Sequence, residues 1–323
     1  MSMEVVNELG AVELLGIPSL SAGILEAWQA DGNPTAAIAL ALVTLVLVLG
    51  LVATERQLRQ RSRRWSDGVA GGQSMTWTLR GGRAWTAQFL AIVPPAVSLG
   101  IPIIWSVLNL DQLEQGLTDD LWPLVLRSFL LALAAAFIAV IAALFLAVAK
   151  RWSHAAWLKG LTFTAGMGYA IPGTVLALAL LFAGTPWQLA PLVLLLWGYG
   201  DRFLAVAKGG LDAALERINP SLDEAATGMG LTWQQVLQRI HLPLLRGPMT
   251  VGLLLVFVDT VKELPLTFAL RPFDFDTLSV RVYQYAGDER LSEALLPALM
   301  IVVLGLLASM ALVPSLEQST GKD

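Results

Sequence analysis

The chain is 323 residues long, 56% hydrophobic and only 14% charged, against about 25% charged in an ordinary soluble domain, which excludes a single soluble fold. A net charge of -4 excludes the basic footprint of the usual nucleic-acid binder. With no cysteine there is no disulfide framework, thiolate metal site or cysteine nucleophile. In lipid each backbone amide has to be bonded within its own segment, so the predicted fold class is all-α: a polytopic membrane helix bundle.

Apolar runs of about 18 residues or more read as bilayer-spanning helices. Seven are predicted, at 36–54, 85–108, 122–149, 158–182, 189–207, 248–268 and 293–313. Pro94-Pro95 and Pro102 interrupt the second, and Ile171-Pro172-Gly173 the fourth, where proline removes a backbone donor. Kinks are expected at both places, as packing features or as a hinge for a gated path. Basic residues set the orientation. The connection after the first span carries Arg56, Arg59, Arg61, Arg63, Arg64, Arg80 and Arg83, whereas the next carries Asp111, Glu114, Asp119 and Asp120 with no Lys or Arg. The first is therefore expected inside and the second outside. Alternation then puts Lys150, Arg151 and Lys159, the 208–247 connection and the C-terminal tail in the cytoplasm. The 270–291 loop is out of line with Arg271, Arg281 and Arg290, although four carboxylates accompany them.

An internal repeat is visible. Glu8-Leu9 opens a stretch running through Pro18-Ser19-Leu20-Ser21 and Ile24 to Trp28, then a polar link and a span. Glu263-Leu264 opens another, through Asp276-Thr277-Leu278-Ser279 and Val282 to Tyr285, then a polar link and the last span. The two align with a three-residue difference in loop length. Residues 1–35 are thus expected to be the external remnant of a preceding repeat and 36–84 its last helix with an Arg-rich cytoplasmic linker. A transmembrane domain at 85–316 and a cytoplasmic tail at 317–323 follow. Chance likeness of two amphipathic loops is the alternative.

Within the 208–247 connection, Ser221 stands three residues before Glu224 and Thr232 three before Gln235, two capping boxes. A helix is predicted from Ser221 to Gly230, where glycine takes the left-handed conformation that ends it. A second short helix is predicted through Val236, Leu237 and Ile240, stopped by Pro243. Such a hairpin makes a compact cytoplasmic knob, and doubled caps alone say nothing of function.

The residues at fixed spacing say more. Glu224-Ala225-Ala226, three residues, Gly230, nine residues, then Ile240-His241-Leu242-Pro243 resembles the EAA loop, EAA-x3-G-x9-I-x-L-P, of binding-protein-dependent ABC-importer permeases. The stretches Gly168–Ala177 and Asp259–Leu278 are similar to the iron(III)-type members, which usually carry two such loops in one fused chain of about twelve spans. This chain looks like the C-terminal portion of that form. The resemblance implies a type I importer permease in a bacterial inner or plasma membrane. Its partners would be an ABC ATPase subunit at the cytoplasmic loop, an external or periplasmic substrate-binding protein, and a second permease half or a second copy, within membrane lipid. Glu224, Ala225, Ala226, Gly230, Ile240, Leu242 and Pro243 are the ATPase-coupling candidates. The likeness to the iron(III)-type members implies iron(III) as the cargo; thiamine, polyamine and phosphonate permeases share the loop and are the alternatives, with a secondary carrier behind them.

Ionisable groups in spans are costly and tend to pair or line a wet path. Arg127, Asp201 and Arg202 are of this kind, and Asp259, Lys262 and Glu263 fall on roughly one helix face. They suit either a local ion-pair cluster or, with Pro172, a pathway or gate. No G-x-x-x-x-G-K-[ST] stretch occurs, so ATP hydrolysis is expected in a separate subunit. No catalytic residue, cofactor site or resident metal site is predicted.

Overall fold

The computed structural model describes residues 9–62, 78–153 and 155–320. Residues 1–8, 63–77, 154 and 321–323, and with them Glu8, Arg63, Arg64 and His154, lie outside the described residues. Every secondary-structure element among the described residues is a helix.

Two short helices, α1 (Gly10–Leu14) and α2 (Leu20–Leu25), precede the long α3 (Pro34–Ser62) and α4 (Gly82–Leu108). After α5 (Leu110–Gln115) come α6 (Leu121–Trp152), α7 (Ala156–Ala165), α8 (Gly173–Gly184) and α9 (Pro191–Arg217). The hairpin follows as α10 (Pro220–Gly228) and α11 (Trp233–Val236), the latter passing through a wide π turn, Leu237–His241, into α12 (Leu242–Val261). The chain closes with α13 (Pro265–Leu270), α14 (Leu278–Gly287) and α15 (Leu291–Thr320).

Five helices among the described residues are long and apolar enough to cross a membrane: Pro34–Glu55, Gly82–Leu108, Leu121–Trp152, Trp233–Val261 and Leu291–Val313. They coincide with the first, second, third, sixth and seventh predicted spans, and make the chain a multi-pass helical membrane protein. The fourth prediction needs correction, because 158–182 is not one helix. Pro172 lacks an N–H and forces the preceding residue out of the helical region. Ile171 is accordingly extended (φ -70°, ψ 116°), and α8 starts afresh after Pro172. The break is held by Gly168, whose backbone lies so close to α9 that a Cβ there would stand 2.2 Å from the carbonyl oxygen of Asp201. The fifth prediction, 189–207, falls mostly within α9, which starts at Pro191, runs on to Arg217 and carries Asp201, Arg202 and Lys208 within its length. The sixth ends early, since α12 stops at Val261 and α13 begins at Pro265. Pro94, Pro95 and Pro102 do not break α4, which stays helical through all three. Each proline removes one donor only, and the rest of the ladder stays intact because lipid offers no other partner.

The core lies where α6, α9 and α12 meet. Helix α6 presents Ala132, Ala135, Ala136, Ala139, Ala143 and Ala147, all buried, along one face. Small residues at helical spacing let backbones approach closely, which is how helices pack in a solvent as apolar as their own side chains. Gly252 of α12 sits against Ala207 and Val140 in this contact.

The two segments that align in the sequence take the same local form. Ser19 accepts from the Ala22 N–H (3.1 Å) to start α2, and Thr277 accepts from the Val280 N–H (3.4 Å) to start α14. They also pack on each other: Leu9 and Leu25 share a buried cluster with Leu264 and Val280.

Candidate functional site: the hairpin and the charged helix break

Helix α9 ends where Ile218 turns extended, and α10 begins one residue after Asn219. The expected Ser221–Glu224 capping box is not what starts it. Pro220 has no N–H to satisfy and its fixed φ suits the first helical position, so the helix begins earlier, with Asn219 Oδ1 accepting from the Ser221 N–H (3.1 Å). Its end is as predicted. Gly230 has φ +86°. The Gly230 N–H donates to the Thr227 carbonyl (2.9 Å) and the Leu231 N–H to the Ala226 carbonyl (3.1 Å), a Schellman closure. The second box forms: Thr232 and Gln235 bond each other's backbone N–H.

Pro243 does not stop the second helix. The i to i+5 turn, in which the Leu242 N–H reaches the Leu237 carbonyl, widens the helix just before the proline. Helix α11 therefore continues from Trp233 into the span ending at Val261. Of the coupling candidates, Glu224, Ala225 and Gly230 are exposed, but Ala226 is only 1% exposed and serves the inner packing of the hairpin. Ile240 and Leu242 are half-buried and Pro243 is exposed. Leu222, Met229 and Trp233 add apolar exposed surface around the tip.

Sequence reasoning missed the anchor beneath this hairpin. Asp223, next to Glu224, points inward and accepts from Arg151 Nε (2.6 Å) and from His241 Nε2 (2.8 Å). A carboxylate only accepts, so Nε2 carries the proton. The rest of the Arg151 guanidinium caps the end of α9, donating to the carbonyls of Leu215 (2.7 Å) and Ile218 (3.0 Å). His241 is fully buried. The Trp152 ring lies against both His241 and Trp233, with centroids 5.8 and 5.1 Å away. Burial pushes the Asp223 carboxyl up, but the hydrogen bonds from Arg151 and His241 outweigh it and hold the group below its ordinary value. No sequence spacing links Arg151 to Asp223, so only the weak signal of a cation ending a span was available.

The second charged region lies where α12 stops. Asp259 and Lys262 pair at 3.2 Å, as the helical spacing implied. Glu263 leaves that face because the helix has already ended. Its carboxylate turns inward, only 3% of the side chain exposed, and caps α13 by accepting from the N–H groups of Leu266 and Thr267, each at 3.1 Å. Arg202 Nε stands 3.9 Å from the same carboxylate and Arg202 Nη1 donates to the Ile171 carbonyl (3.3 Å). Gly173 faces this pair, since a Cβ there would lie 2.8 Å from Arg202 Nη1 and 3.0 Å from Glu263 Oε1. The break at Pro172 and the break after Val261 thus meet on Arg202. A cavity of about 110 Å³ opens there, lined by Leu9, Tyr169, Arg202, Asp259, Lys262 and Glu263. Arg127 is elsewhere, its Nη1 donating to the Asp274 carbonyl. Among the described residues no group of three or more His, Asp or Glu side chains is placed to hold a metal ion.

No family model matches the chain. It is 23% identical over 319 residues to the Fe(3+)-transport system permease protein FbpB 2 of Haemophilus influenzae, covering 94% of this chain and 62% of that protein. The chain thus spans less than two thirds of that relative's length. Solved structures of a bacterial ABC transporter that imports the acidic polysaccharide alginate are similar to it. One has a TM-score of 0.45 and 16% identity, covering 74% of this chain and 98% of that one. The other, in complex with an alginate pentasaccharide-bound periplasmic protein, has a TM-score of 0.45 and 16% identity, covering 72% and 96%.

Proposed function

We propose that the chain is the membrane-embedded permease component of an ATP-driven, binding-protein-dependent importer, with iron(III) as its cargo. The observation that carries the reading is the build of the EAA residues. They sit on a hairpin closed at each turn by backbone bonds, and its second helix runs unbroken from Trp233 into a membrane span. A push on Glu224 or Gly230 is therefore delivered to α12, where a flexible loop would absorb it. The choice of cargo is supported by the iron-transport relative.

On this reading the hairpin and the C-terminus face the cytoplasm and an ABC ATPase seats on the exposed surface around Ala225, Met229 and Trp233. The α12–α13 break, with Asp259, Lys262, Glu263 and Pro172, lies along the passage. A binding protein delivers the cargo from outside. A second permease unit, another copy or the remainder of a fused form, supplies the far wall of the passage, and lipid and that unit share the surface of α4, whose span is only 6% buried. The permease itself catalyses no reaction, and ATP is hydrolysed by the partner.

The test is uptake by proteoliposomes holding the chain, the ATPase and a ferric-binding protein. Iron(III) accumulation requiring ATP, with ATPase co-purification reduced about tenfold by Glu224→Lys, is the expected result. Accumulation driven by a proton gradient without ATP would overturn it in favour of a secondary carrier, and transport of thiamine, a polyamine or a phosphonate in place of iron would reassign the cargo. Because the chain has no cysteine, Met229→Cys gives a single label site. An impermeant maleimide should reach it in inverted vesicles and not in intact cells.

A further inference from the structure

Beneath the exposed coupling surface, four elements converge on one cluster, in which Arg151 and His241 bond the Asp223 carboxylate and the end of α9 bonds Arg151. Asp223 belongs to α10, Arg151 to the last turn of α6, Leu215 and Ile218 to the end of α9, and His241 to the π turn that leads into α12. Each bond in the set is charge-assisted or caps a helix end, and such bonds are short and directional. The Trp152 ring, packed on Trp233 and His241, adds an aromatic contact at the same spot. The three core helices α6, α9 and α12 are thus tied to the hairpin at one point, and a rigid displacement of α10 cannot occur without moving the ends of all three.

We propose that Asp223 is a positioning residue that converts movement of the hairpin into concerted movement of α6, α9 and α12. Arg151 and His241 serve as its two arms. The part of the proposal that concerns transport rests on the importer reading. The part that concerns rigidity does not. Asp223 touches no cargo and is turned away from the face on which an ATPase would seat, so its loss uncouples without undocking.

The test uses the cysteine-free chain in nanodiscs, carrying spin labels at Met229→Cys on the hairpin tip and Phe145→Cys on α6, both exposed positions. The parent should give one narrow distance distribution. Asp223→Ala should at least double its width and Asp223→Asn should widen it less, because the amide oxygen still accepts from one arm. Arg151→Gln combined with Asp223→Asn should be narrower than either single variant, since neither charge is left buried alone. If Asp223→Ala fails to accumulate, the Asn variant and the double variant carry the test. In proteoliposomes with the ATPase and a ferric-binding protein, Asp223→Asn should lower iron imported per ATP hydrolysed at least fivefold while ATPase co-purification stays within twofold of the parent. Unchanged distance widths in the Asp223 variants would overturn the anchor. Co-purification falling in step with uptake would overturn the positioning role, since Asp223 would then act in docking. A parent chain that recruits no ATPase would overturn the importer reading, and the distance widths would still decide the anchor.

Discussion

Asp223 and Glu263 are both buried carboxylates at the start of a short helix, and both join elements distant in sequence, yet they are satisfied in opposite ways. Asp223 is held by side chains, the Arg151 guanidinium at 2.6 Å and the His241 imidazole at 2.8 Å. Glu263 is held mainly by the backbone, two amide donors of α13 at 3.1 Å, with Arg202 standing off at 3.9 Å. A charge held by charge fails badly when one partner is removed, because the survivor stays buried and unpaired. A charge held by a helix N-terminus depends on the oxygen more than on the charge, since a neutral amide still accepts. The hairpin is therefore fastened by an all-or-none ionic joint. The break between α12 and α13 is fastened by a cap that leaves its arginine loosely engaged.

Substitutions can break this contrast. The largest effect is expected for Arg151→Ala, which strands Asp223 and uncaps the end of α9. It should cost about 3 kcal/mol in denaturant titration of the detergent-solubilised chain. Glu263→Ala should cost roughly 2 kcal/mol by removing the cap of α13 and the partner of Arg202. Glu263→Gln should cost only about 0.5 kcal/mol, because the amide oxygen keeps one backbone bond. Equal losses for Ala and Gln would mean that the ion pair with Arg202, and not the cap, holds the break. Gly230→Ala falls between these two at about 1 kcal/mol, set by the left-handed φ alone, since no atom lies within 4 Å of where its Cβ would be.

The smallest effect concerns pH. The folded-state pKa of Asp223 lies below its ordinary value of 3.8, so its contribution is present above that value and is lost as pH falls through the lower, folded one. Spin-label distances across the hairpin should hold from pH 8 to 5 and widen only below about 3.8. Widening between pH 6 and 5 would locate the sensitivity at a group other than this carboxylate.

Much of the fold is legible in the sequence. Apolar runs located the five long helices because a span must satisfy its own backbone. Gly230 and the Thr232–Gln235 pair declared the hairpin turn because caps act within four residues. Local chemistry misled where two signals competed. Pro220 outweighed Ser221 in setting a helix start, and a π turn absorbed Pro243.

What the sequence by itself determined, then, is whatever is decided within about one helical turn: which segments are helices, where the caps fall, and which stretches are apolar enough for lipid. Only the tertiary structure decided that Arg151 meets Asp223, that Ala226 faces inward, and that Arg202 joins the break at Pro172 to the one before Pro265. These contacts depend on how rigid helices pack side by side, and the position of a side chain along the chain carries no record of which distant neighbour that packing will bring against it.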